Sequence, residues 1–134
     1  MQLPQGATVA VADGEKLALF RNTGDAANPK LTALPTADVA SDNKGSGARH
    51  QSSSANPDDS QQEEDSFSAG IAELLNRQVL EGKITDLVVI AAPRTLGELR
   101  KHYHKKLSAT LVGEIAKDLT GHAVQDIEKT IAAA

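Results

Sequence analysis

The chain has 134 residues, enough for one compact domain that needs no metal or disulfide staple. Its formal net charge of −4 argues against a general nucleic-acid or anionic-membrane binder, and the absence of cysteine removes thiolate catalysis, disulfides and cysteine-based zinc sites. Neither a secretory pattern at the start nor an apolar run of membrane-spanning length is visible, so a cytoplasmic protein without membrane insertion is expected.

The first third reads as β-structure. Thr8–Ala12 is short and β-biased, and Asp13 with Gly14 signals a tight turn before a second run, Lys16–Arg21. There Leu17 and Leu19 alternate with Lys16 and Ala18, the pattern of a strand with one buried face. Residues 22–25 (NTGD) break it, and a third run, Lys30–Leu34, ends at Pro35. Three short runs joined by two turns predict an antiparallel meander.

From Thr36 to Asp59 the apolar pattern disappears, and such a composition buries too little surface to offset its ordering entropy. Residues 36–59 are therefore expected to be a long flexible loop within a single domain spanning 1–134. Asn56 as N-cap and Pro57 at the first helical position then open a helix, with acids in its first turn. Phe67, Ile71, Leu74, Leu75 and Val79 supply its apolar stripe, and Gly82 its stop.

Ile84–Ala92 is apolar and β-branched in the manner of a central strand buried on both faces. Pro93 and Arg94 end it. Thr95 and Glu98 match a capping box, and Leu96, Leu99, Tyr103 and Leu107 predict a helix from about 96 to 107. Leu111–Leu119 fits either a helix or a short strand by periodicity. Val124, Ile127 and Ile131 mark a last helix. The expected fold class is α/β: a mixed sheet with an N-terminal antiparallel meander followed by alternating helices and strands.

Two regions are candidates for function. In the long loop, Gly45 and Gly47 permit unusual backbone shapes next to Arg49, His50 and Gln51. This is either a solvated linker or a tip that presents polar groups to a partner. The second region is APRTLGELRKHYHKK. Arg94 and Thr95 stand at the end of the buried strand, where a helix N-terminus offers N–H groups to an anion, and Arg100, Lys101 and His104 follow on the helix. That helix reads equally as a phosphate-binding surface or as a solvated face. His102 and His104, two apart, would diverge by about 200° on a helix, and His50 and His122 are isolated, so no metal site is expected. Glu63, Glu64 and Asp65 read as helix-start acids, and no phosphate-binding or hydrolase motif is present. No cofactor is implied.

The stretches GATVAVADGEKLALFRN, ANPDD, EEDSF and VVIAAPRTLGELRKHYHKKLSATLVGEIAKDLTGH resemble the bacterial host attachment protein family, most closely from Val88 to His122. The element order resembles the middle domain of archaeal and eukaryotic peptide-chain release factors, in which a meander leads to an exposed Gly-Gly-Gln loop and a long helix. That likeness implies a strand within Leu111–Lys117. It also implies ribosome or tRNA as partner, with Gln51 in the place of the catalytic glutamine and Arg49 and His50 touching RNA. The segment itself holds Gly45, Ser46, Gly47, Ala48, Arg49, His50 and Gln51, with no contiguous Gly-Gly-Gln. A non-enzymatic module that binds a protein or nucleotide in host association or stress response is the alternative.

Overall fold

The computed structural model describes residues 1–35 and 57–134. A five-stranded sheet forms the centre, in the order β3-β2-β1-β4-β5. β1 (Thr8–Ala12), β2 (Leu17–Asn22) and β3 (Leu31–Leu34) make the antiparallel meander, as expected from their turn signals. β4 (Leu87–Ala91) joins β1 in parallel, and β5 (Leu111–Ala116) joins β4 in parallel. The mixed α/β sheet is thus present.

The sheet is covered on both faces, which explains why β1 and β4 are buried at every position. On one face Ala10, Ala12, Leu87, Val89 and Ala91 meet Ile71, Ala72, Leu75 and Val79 of α1 (Pro57–Leu80), with Leu96, Leu99 and Leu107 beside them. The alanines of the central strand leave room for a helix to lie close. On the other face Val9, Val11, Val88, Ile90 and Ile115 meet Ile127 and Ile131 of α4 (Val124–Ala133), closed off by Leu3 of the N-terminal segment. Each fully buried aliphatic side chain stabilises the fold by about 1.5–3 kcal/mol, so both layers are needed.

The long helix ends as its sequence predicts. Gly82 takes φ 81°, its N–H donates to the Val79 carbonyl at 3.1 Å, and the Lys83 N–H reaches the Gln78 carbonyl at 2.9 Å. This paired arrangement satisfies carbonyls left over at a helix end and favours glycine at the left-handed position. The apolar stretch from Ile84 is correspondingly shorter as a strand, because residues 84–86 are spent leaving this turn.

Residues 96–107 do not form one helix. α2 runs Pro93–Arg100 and α3 runs Lys105–Thr110. α2 starts three residues early because proline suits the first helical position, where its missing N–H costs nothing. Ala92 is the N-cap residue and no side chain caps the helix, so Thr95 and Glu98 do not form the capping box. The break at 101–104 has a tertiary cause. Asn76 of α1 donates to the His102 carbonyl and accepts from the His104 N–H, both at 2.9 Å, which takes up groups that a continuous helix would use.

The ambiguous segment from Leu111 is a strand as far as Ala116, within the range implied by the release-factor likeness. Its register shifts between Leu87 and Val88, where Leu111 and Gly113 are paired and Val112 is left over. The irregularity puts Glu114 on the α1–α3 face and Ile115 on the α4 face.

Candidate functional site

β1, β3, β4 and β5 all point the same way, so their carboxyl ends share one edge of the sheet. Asp13, Pro35, Ala92 and Lys117 therefore leave the sheet together. α1 also starts at this edge: a side chain on Gly14 would collide with Glu64 at 2.8 Å. At 1.5 Å per residue the 24-residue helix is about 36 Å long, against about 17 Å for a five-residue strand, so its first turns extend past the sheet. β3 thus ends, and α1 begins, at this end of the sheet.

The turns at the edge are tied to each other. Asp13 accepts N–H bonds from Glu15 at 2.7 Å and Lys16 at 2.6 Å, which close the β1–β2 turn. Its other oxygen lies 2.8 Å from the Thr120 hydroxyl, which is also 2.6 Å from Asp118. The single hydroxyl proton of Thr120 is thus within reach of both carboxylates and links the two turns. Hydrogen bonds from the hydroxyl and then the N–H of Thr120 hold the Asp118 carboxyl below its ordinary range.

Between the ends of β1 and β5 lies the start of α2. Pro93 has no N–H, and the N–H groups of Arg94 and Thr95 meet no capping side chain. The first turn carries no acid, and Arg94 is exposed with no ion pair among the described residues. A helix N-terminus with a guanidinium beside it suits an anion such as a phosphate.

The remaining predicted cations are not brought to this place. Arg100 and Lys101 lie at the opposite end of α2, about 10 Å along its axis. Arg100 donates through Nε (3.1 Å) and Nη2 (2.8 Å) to one oxygen of Glu114, whose other oxygen accepts from the Tyr103 hydroxyl at 3.1 Å. The hydrogen bond with Glu114, and then its charge, raise the Arg100 pKa. Lys101 pairs with Glu98 at 3.0 Å. His104 is the N-cap of α3, its Nδ1 accepting from the Lys106 N–H at 3.0 Å. His102 and His104 thus occupy a turn rather than a helix. Among the described residues no three His, Asp or Glu side chains converge as a metal site would require.

Gly45, Gly47, Arg49, His50 and Gln51 lie outside the described residues. Three features escaped the sequence reading: the Asn76 clamp, the Glu114 hub, and the Asp13–Thr120–Asp118 link. The Asp13 turn signal was visible, whereas Glu114 and Asn76 find partners 11 to 28 residues away and leave no local trace.

A family model described as Bacterial archaeo-eukaryotic release factor family 12 matches residues 6–131. No curated protein matches the sequence.

Proposed function

Because the chain belongs to bacterial archaeo-eukaryotic release factor family 12, we propose that this release-factor-like domain acts on the ribosome or tRNA, in peptidyl-tRNA handling or ribosome rescue. The observation that carries the reading is topological. Pro35 leaves β3 at the same end of the sheet that bears Arg94 and Thr95, and α1 passes this end near Glu64. In this reading Gly45 and Gly47 supply backbone freedom, and Arg49 and His50 contact RNA. Gln51 holds the water that attacks the ester: its amide both donates and accepts hydrogen bonds, and it orients water without removing a proton. Arg94 and Thr95 bind phosphate. Arg100, Lys101 and His104 lie at the far end of α2, where each already has a protein partner, and contribute less. The protein then works in the cytoplasm; among the described residues no helix is long and apolar enough to cross a membrane.

The test is hydrolysis of peptidyl-tRNA in ribosome complexes. Gln51→Ala should lower the rate by about 100-fold or more if the amide orients the attacking water. Unchanged hydrolysis in that variant ends the mechanism.

A second reading is favoured by the sequence Gly45-Ser46-Gly47 where a contiguous Gly-Gly-Gln would be needed. In it the segment and α2 bind a protein or nucleotide, without catalysis, in host association or stress response. Deleting residues 45–55 then abolishes partner binding, while the intact protein never hydrolyses the ester.

A further inference from the structure

The two edges of the sheet are treated differently. β3 is four residues long, and the Leu31 N–H at its start is taken by the Glu128 carboxylate of α4 at 2.7 Å. Short edge strands and charged guards of this kind discourage another chain from pairing. β5 has six residues, and among the described residues no strand lies on its outer side. Its register irregularity is confined to the first half, leaving Glu114–Ala116 in regular pairing with Val89–Ala91.

Beside this free half lies an open groove of about 540 Å³, between Glu114–Lys117 and the last turns of α4. Its lining includes the apolar Ile115 and Ala133 and the cations Lys117 and Lys129. Neither lysine has a carboxylate within ion-pair distance among the described residues. Glu114 does not neutralise them, because Arg100 and Tyr103 hold both of its oxygens.

We infer that the outer edge of β5 and this groove take up an extended acidic peptide of a partner protein as an added strand of the sheet. Main-chain hydrogen bonds to the edge supply binding; every second side chain of the peptide turns toward the groove, where acids meet Lys117 and Lys129, and those between turn to the opposite face of the sheet. The free edge favours a peptide over RNA: it presents N–H and C=O groups in a strand's alternation, and two cations are few for a phosphate track on a chain of net charge −4. A second copy is a poorer occupant, since the single acid of its own LVGEIA strand is already engaged. The inference does not depend on the ribosome reading.

Because strand addition tolerates sequence, a generic probe is sufficient. The full ¹⁵N-labelled chain is titrated with an acetylated EVEVEVE peptide, with KVKVKVK, and with oligouridylate. The acidic peptide should shift the amides of residues 114–117 and 129–134. The K117E/K129E variant, altered at solvent-facing positions, should lose about tenfold in affinity and keep its remaining spectrum. Failure of EVEVEVE to bind at millimolar concentration overturns the proposal. Equal binding of KVKVKVK, tighter binding of oligouridylate to the same amides, or self-association through β5 also overturns it.

Discussion

Tyr103 is the only tyrosine in a chain without tryptophan, so near-ultraviolet absorbance follows its ionisation alone. Burial, then the charge of Glu114 and the hydrogen bond to it, push its pKa well above the value near 10 of a free phenol; Arg100 opposes this weakly. A pKa raised by folding means that the folded state holds this proton longer. The stabilisation is complete below the unfolded value and fades as pH rises from about 10 through the folded pKa. The folded protein should therefore show no tyrosinate at the pH where the urea-unfolded chain is half ionised. Glu114→Gln removes the charge but leaves burial and an amide oxygen that accepts the hydroxyl, so its midpoint should fall only part of the way. A native titration at the free-phenol value would mean that the Arg100–Glu114–Tyr103 hub does not form.

At the scale of elements, the short α3 rests on an unusual N-cap. With the His104 ring nitrogen accepting the Lys106 N–H, His104→Ala should cost about 0.5–2 kcal/mol in urea unfolding, whereas His104→Asp should restore most of it. The pair also separates two roles, since aspartate caps well and repels phosphate: stability kept with ribosome binding lost would assign His104 to both. Wild-type stability in the alanine variant would show that the cap contributes nothing. This junction shows what local pattern carries. Strand β1, the long helix with its Gly82 stop, and the meander follow from periodicity and turn residues, because their causes lie within a few positions. The split of residues 96–107 does not, since its cause is an amide on α1. β5 was ambiguous for a physical reason as well: one surplus residue breaks the period of two, and the pattern then imitates a helix. Of the candidate site, the place of Arg94 and Thr95 just beyond a buried strand was legible from the apolar run before them, although the helix starts three residues earlier than its pattern predicts. The partners of Arg100 and Lys101 were not, since charge alone does not say whether a cation is already paired.

For the whole molecule, a net charge of −4 means that the proposed binding to ribosomal RNA would rest on a few local contacts and not on a general field. Asp13 and Asp118 at the same edge as Arg94 sharpen this, because they repel any phosphate not seated at the start of α2. Each phosphate neutralised contributes about 0.7–0.9 to the slope of log affinity against log salt. With Arg94 and Arg49 as the principal contacts, co-sedimentation with ribosomes should give a slope of about −2, shallow for an RNA-binding protein. Arg94→Ala should weaken binding to all ribosomal substrates alike and bring the slope toward about −1. Arg100→Ala should leave the slope nearly unchanged and instead lower stability, because its guanidinium is spent on Glu114. A slope unaffected by Arg94→Ala, or reduced equally by both substitutions, would remove the carboxyl edge of the sheet from the RNA-binding surface.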